Sequence, residues 1–459
     1  RSTPSNSSAA SDVYKRQGKM ISFPKKGLNS QELFAQMEEL HKEDANWKEA
    51  RTWSLVYHAR DDIKEVAQKA YLMFFAENGL NPLAFPSLKK FETEAVAMTA
   101  QLLGGDEQAV GNITSGGTES ILLAVKTARD WGREVKNIKE PEMVLPITAH
   151  PSFEKASHYF GVKSVHIPID ENLRADVNAL KDAITENTVL IVGSAPCYPY
   201  GVIDPIPEMA EIAREHNILF HTDACLGGFM LPFLKKLGYQ IIDFDFSVPG
   251  VTSISADIHK YGYSGKGAST IIYRNPEIRK YQYYIYADWV GGVYASPNMT
   301  GTRPGGAIAS AWAVMKYLGE EGYMELTKIT MDTTKKLMEG VKTIDGMKIL
   351  GEPDMSVFAF TSNKVNIYAL GEEMQNKGWF LDRQQMPPAL HLIVTPNHQK
   401  VVEPFLKDLK EACQALEGKP KEDISGMAAL YGMIGTLPDR NQAKNLVLEF
   451  LNDLFRVKD

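Results

Sequence analysis

Apolar positions recur along this chain in two alternating rhythms. From Gln101 to Ile272, short β-rich runs at Val144 to Ile147, Val189 to Val192, Leu219 to Thr222 and Ser269 to Ile272 are separated by stretches with helical spacing. That alternation predicts an α/β fold with a mostly parallel sheet and helices on both of its faces. Upstream, Leu33, Phe34, Met37 and Leu40 follow Ser30 at spacings of three and four, which predicts a short amphipathic helix with a polar cap, placed as an arm. Downstream, Gly305 to Tyr317 reads as one helix and Tyr323 to Ile344 as a second, long one leaving the main lobe. Beyond it, strand-like runs at Val357 to Phe360 and Leu390 to Val394 alternate with helices near Asn366 to Asn376 and Val401 to Leu416, the texture of a smaller α/β lobe. The expected organisation is a leader over 1–19, a helical arm over 20–80, a large domain over 81–325 and a small C-terminal domain over 326–459.

Composition narrows the function classes. The 459 residues are 44% hydrophobic and 23% charged, which excludes wholesale disorder. A net charge of -7 without a long Lys/Arg run argues against a nucleic-acid partner. No apolar stretch of about eighteen residues is present to span a bilayer. Cys197, Cys225 and Cys413 are odd in number and widely spaced, unlike a disulfide framework or a zinc site, so a reducing cytoplasm is expected. The first nineteen residues are small and polar without the apolar core of a secretory signal; Met20 reads as the natural start, and SDVYKRQ (Ser11 to Gln17) resembles translated adapter sequence.

Three segments carry candidate chemistry. Ser115, Gly116, Gly117 and Thr118 form a glycine-rich turn opening onto the apolar-periodic residues Ile121, Leu122, Val125 and Ala128. A helix N-terminus of this kind favours an anion such as phosphate, although glycine turns that merely cap helices are common. His221, Asp223 and Cys225 close a β-rich run, and a period of two puts them on one face. They could be metal ligands, but no second ligand cluster accompanies them; a strand-end carboxylate facing a ligand at the sheet's carboxyl edge explains Asp223 better, with a solvated Asp as the plain alternative. Lys260 follows 37 residues later in the run SISADIHKYG, where a lone lysine would ordinarily be a surface residue. Phosphate cradle, strand-end aspartate and lysine in this order are the parts a pyridoxal phosphate site requires: the cradle for the phosphate, Asp223 for the pyridine nitrogen and Lys260 for the Schiff base. No metal is expected.

The chain resembles the sphingosine-1-phosphate lyase branch of the pyridoxal-phosphate-dependent group II decarboxylases, from about Trp53 to Asn441. The resemblance rests on SGGTESILLAVKTARD, GVIDPIPE, DACLGGF, VTSISADIHKYGYSGKG, DWVGGVYASP, GTRPGG and YGMIGTLPDRN. It implies an aspartate-aminotransferase-like (fold type I) architecture and a homodimer with shared active sites. It further implies that His150 stacks on the pyridine ring and that Gly117, Thr118 and His259 hold the cofactor phosphate. Thr302, where the lyases commonly have Ser, would reach that phosphate from the second subunit. Lys266, Tyr57 and Tyr198 match positions lining the substrate site; packing or a solvated loop are the plain alternatives for them. The lyases read NPLHPDIFP where this chain has NGLNPLAFP from Asn78 to Pro86. Asn78 matches the family Asn, but Asn81 replaces a histidine that helps bind the substrate phosphate. The eukaryotic lyases' membrane anchor has no counterpart, as for a soluble bacterial relative. The expected activity is cleavage of a phosphorylated sphingoid base or similar β-hydroxy amine into a fatty aldehyde and phosphoethanolamine. Amino-acid decarboxylation and a catalytically silent dimeric scaffold are the rival readings.

Overall fold

The computed structural model describes residues 21–418 and 439–457. The leader and most of the YGMIGTLPDRN motif lie outside them. The chain divides into two compact units, 46–424 and a second one formed by the segments up to 45 and from 425 onward. The described part of the second unit holds the helices Ser30–His41 and Arg440–Leu454. Ser30 begins the first of these rather than capping it: Asn29 Oδ1 accepts the Glu32 N–H at 2.9 Å. Both residues suit an N-cap, and the cap lies one position earlier than the sequence reading put it. Leu33, Phe34, Met37 and Leu40 are exposed on this helix.

The larger unit is built on a seven-stranded sheet of β1 (Val110–Thr114), β2 (Glu142–Pro146), β3 (Lys163–Ile167), β4 (Thr188–Ser194), β5 (Leu219–Asp223), β6 (Ser253–Ala256) and β7 (Ser269–Tyr273). Their spatial order is β1-β7-β6-β5-β4-β2-β3. The pairs from β3 through β6 are parallel, whereas β7 runs antiparallel to both β6 and β1. The run at Ser269 is therefore the exception within a mostly parallel sheet. Strands β2, β4 and β5 are buried along their whole length, as expected of a sheet covered on both faces. The helix Gly117–Val135 packs on it through Ile121, Leu122, Val125 and Ala128, each buried; burying a side chain of Leu or Ile size contributes about 1.5–3 kcal/mol.

Register sets the site. Ser194 on β4, Asp223 on β5 and Ser255 on β6 are neighbours across adjacent strands, at the carboxyl edge of the parallel set. Ligands of α/β sheets bind at this edge, where strands give way to loops.

A hairpin of β8 (Tyr284–Trp289) and β9 (Gly292–Ser296) projects before the long helix. The long helical region Gly305–Lys342 is two helices meeting at a kink, as the sequence predicts: Gly319 adopts a non-helical φ of 56° between them. That backbone conformation suits glycine because it lacks a Cβ. A second, antiparallel sheet follows in the order β10 (Met347–Ile349), β11 (Val357–Ser362), β13 (Pro388–Ile393) and β12 (Asp382–Gln385), flanked by the helices Ile367–Asn376 and Val402–Leu416. No helix among the described residues is long and apolar enough to cross a membrane.

Candidate active site

A cavity of about 390 Å³ opens at the carboxyl edge of the large sheet. Its wall includes Ser115, Gly116, Gly117 and Thr118 on one side and His150, Tyr198, Asp223, His259 and Lys260 on the others. Nine of the residues singled out from sequence thus converge on one space.

The glycine turn is shaped by its neighbours. A Cβ built on Gly117 would lie 2.7 Å from Cys225 Sγ and 2.9 Å from Asp257 Oδ2, so only glycine lets the turn approach this wall. The turn delivers the backbone to the N-terminus of the helix Gly117–Val135, where unpaired N–H groups and the helix dipole suit a phosphate. Glu119 braces it: Oε2 accepts the Ser115 N–H at 2.6 Å, and Oε1 accepts the Met299 N–H at 2.8 Å.

Asp223 ends β5 and is 8% exposed. Its Oδ1 accepts from the Cys225 N–H at 3.1 Å and the Ser255 hydroxyl at 3.3 Å. The carboxylate is thereby oriented at the cavity. Cys225 lies past the end of the strand, so the period-two reading does not reach it, although the same turn returns it to Ser255, 3.3 Å away. His221 is fully buried with Nδ1 and Nε2 against the hydroxyls of Ser253 and Ser255, at 2.9 and 3.1 Å, so both ring nitrogens are already taken up.

Lys260 pairs with Asp257 across 2.9 Å. Burial would drive the proton off its ammonium, but Asp257 opposes this and holds the lysine above its ordinary value. Burial would raise the Asp257 carboxyl, yet Lys260 and then His259 keep it below the usual range. Asp257 is 2% exposed and stands three residues before Lys260. Nothing in the motif SISADIHKYG assigns Asp257 a role except its i, i+3 spacing to the lysine.

His259 accepts the Ala268 N–H on Nδ1 at 3.1 Å, which places its proton on Nε2. Burial, opposed by Asp257, pushes this imidazole down to about 4, so it is a neutral Nε2–H donor. His150 is arranged similarly: Nδ1 accepts the Ser152 N–H at 3.2 Å, and burial lowers its pKa. Ser152 Oγ also lies 3.0 Å from Thr118 Oγ1, linking this histidine to the cradle.

Tyr57 and Lys266 do not line this cavity. They line a second, largely apolar one of about 450 Å³; His259 borders both. Lys266 Nζ stands 5.0 Å above the Tyr57 ring and donates to the His259 carbonyl at 3.3 Å. Burial, with Lys260 nearby, lowers the lysine to about 8. Tyr198 bridges to the small sheet, its hydroxyl donating to Asp382 Oδ2 at 2.8 Å. Burial and then Asp382 raise its pKa well above the ordinary tyrosine value.

Asn78, Asn81 and Thr302 are not brought into either cavity. Asn78 Oδ1 accepts the Leu80 N–H, and Asn81 Oδ1 accepts the Leu83 N–H at 3.0 Å. The Gly79 N–H donates to the Arg303 carbonyl at 2.8 Å, so this turn lies beside the exposed Thr302.

The residues present fit pyridoxal 5'-phosphate: a glycine-only turn with a neutral imidazole donor for the phosphate, a strand-end carboxylate for a protonated ring nitrogen, and an amine between them. Fold and site together define a class, the fold type I enzymes that depend on this cofactor. Residues 13–363 match the family described as pyridoxal-dependent decarboxylase conserved domain. The chain is 44% identical to the sphingosine-1-phosphate lyase of Arabidopsis thaliana, over 96% of this chain and 82% of that one. It is also 44% identical to sphingosine-1-phosphate lyase 1 of Rattus norvegicus, over 94% and 76%. The solved structure of the Burkholderia pseudomallei sphingosine-1-phosphate lyase superposes with a TM-score of 0.86 at 37% identity, covering 95% of this chain and 98% of that one. The chain belongs to the pyridoxal-dependent decarboxylase family, in its sphingosine-1-phosphate lyase branch.

Proposed function

We propose that this protein is a pyridoxal-phosphate-dependent carbon–carbon lyase that cleaves a phosphorylated sphingoid base, or a close β-hydroxy amine, into a fatty aldehyde and phosphoethanolamine. The observation that carries this reading is that His259 borders two cavities, one lined by Lys260 and the other by Lys266. When bound, the cofactor supplies an electron sink conjugated to the substrate's amine. Lys260 would hold the cofactor through its amine. Asp223 would keep the cofactor's ring nitrogen protonated, and His150 would meet the ring as a neutral imidazole. Ser115, Gly116, Gly117, Thr118 and the Nε2–H of His259 hold the phosphate of the cofactor. Lys266 gives the substrate phosphate a cation, with Tyr57 beneath it. The proton on the β-hydroxyl must leave as the bond between the α and β carbons breaks; in this reading Tyr198 accepts it while passing its own hydroxyl proton to Asp382.

The relatives and the solved structure that match the chain at 37–44% identity are named sphingosine-1-phosphate lyases, which favours the lyase over the decarboxylase reading.

The working form in this reading is a homodimer. Asn78, Asn81 and Thr302 lie outside their own cavity, on turns able to serve a neighbouring copy. The hairpin beside them exposes Ile285, Trp289, Val290 and Val293, an apolar surface suited to burial against a second copy. Cys197, Cys225 and Cys413 are free and buried, in keeping with a cytoplasmic location. Incubating the purified holoenzyme with sphingosine 1-phosphate and with a panel of amino acids, while assaying aldehyde and carbon dioxide, tests the reading. Aldehyde from the former alone is expected; carbon dioxide from an amino acid without aldehyde would replace it with the decarboxylase.

A further inference from the structure

We propose that Asp382 is a positioning residue that makes Tyr198 a fixed hydrogen-bond acceptor, and so selects substrates carrying a hydroxyl on the carbon to be released. The inference rests on the lyase reading above and deepens it. Asp382 lies on β12 of the small sheet, directly across from His391 on β13. These two residues hold Tyr198 by three different groups. The Tyr198 hydroxyl donates to Asp382 Oδ2 at 2.8 Å. Its ring stacks on the His391 ring at 4.2 Å and 26°. Its backbone carbonyl accepts from His391 Nε2 at 2.7 Å. That last bond requires the proton on Nε2, and burial, opposed by Asp382, drives this imidazole down to about 4, so the ring is neutral. Its Nδ1 has no partner among the described residues. A buried histidine with an idle acceptor is poorly explained by its own hydrogen bonding, and better by its service to Tyr198.

The consequence for the site follows from counting protons. A tyrosine hydroxyl has one hydrogen, and Asp382 takes it. To any further partner its oxygen therefore offers lone pairs only. A ligand group meeting it must donate, as a hydroxyl or an ammonium does. A carboxylate would face lone pairs backed by the Asp382 charge.

The alternative is a latch that only fastens the small sheet to the large one. Binding selectivity separates the two. Holoenzyme reduced with borohydride binds without turnover, so dissociation constants can be compared for sphingosine 1-phosphate and for its analogue lacking the hydroxyl at the carbon to be released. Tyr198→Phe and Asp382→Ala should each weaken binding of the hydroxylated ligand by about tenfold, leave the deoxy analogue within about twofold, and combine without further loss. Asp382→Asn, whose amide oxygen still accepts the tyrosine proton, should keep most of the selectivity. If both ligands weaken together, or neither changes while the melting temperature falls, Asp382 is only a latch and the proposal is overturned. Turnover of sphingosine 1-phosphate by the unreduced wild type is scored separately and bears on the lyase reading alone.

Discussion

Lys266 is the residue whose chemistry is most exposed to pH. Burial and Lys260 lower it to about 8 in the free enzyme, against an ordinary lysine value near 10.5. If its charge holds the substrate phosphate, kcat/KM should be highest below pH 8 and fall as the pH rises through that value, because the neutral amine is then the major form. Lys266→Met should lower kcat/KM by at least about tenfold and remove this alkaline limb, whereas Lys266→Arg, charged throughout, should remove the limb and keep part of the activity. A limb that persists in Lys266→Met would assign the titration elsewhere. Asn81 makes a second, smaller prediction. Its amide oxygen is engaged by the Leu83 and Ala84 N–H groups, which leaves the amide N–H donors for a phosphate but supplies no charge. Asn81→His should raise kcat/KM for sphingosine 1-phosphate in mildly acidic buffer, by up to about tenfold, with the gain shrinking above pH 7. No gain at any pH would remove Asn81 from the phosphate site.

At the scale of elements, the glycine turn is the part least open to change. The Cβ of Gly117→Ala would collide with Cys225 and Asp257, while that of Gly116→Ala would meet His259 Cε1 at an ordinary 3.5 Å. Gly117→Ala should therefore weaken cofactor binding by about tenfold or more, by fluorescence titration of the cofactor-free protein, and Gly116→Ala by clearly less; equal effects would contradict this account of the turn. The same scale shows what could be read in the sequence. Strands β2, β4 and β5 are continuous apolar runs because both faces are covered, and the turn at Gly117 and the lysine at 260 carry local signatures. Strand β12 is four polar residues, Asp382–Gln385, with no apolar position to mark it, so neither the strand nor the role of Asp382 could be read. The hairpin escaped for the opposite reason. Its Ile285, Trp289 and Val293 are apolar and exposed, so no alternation of inside and outside marks its strands. The break predicted between Tyr317 and Tyr323 is the kink at Gly319, whose non-helical backbone separates the two helices.

For the whole molecule, the proposed working form is two chains. In that dimer Asn81 and Thr302, on turns outside the cavity of their own chain, would complete the site of the neighbouring copy. Mixing a Lys260→Ala chain with a Thr302→Ala chain under conditions of subunit exchange should restore activity at one of the two sites of each heterodimer, provided each single variant is impaired. Verified heterodimers without recovered activity would place Thr302 elsewhere.

The central claim is that this chain breaks a carbon–carbon bond and returns a proton to the amine-bearing carbon. The most direct measurement is mass spectrometry of the products formed from sphingosine 1-phosphate by the wild-type holoenzyme in deuterated water. The account predicts phosphoethanolamine carrying one carbon-bound deuteron and an equal amount of fatty aldehyde. Intact substrate after prolonged incubation with cofactor-loaded enzyme, or carbon dioxide released from an amino acid in its place, would contradict it.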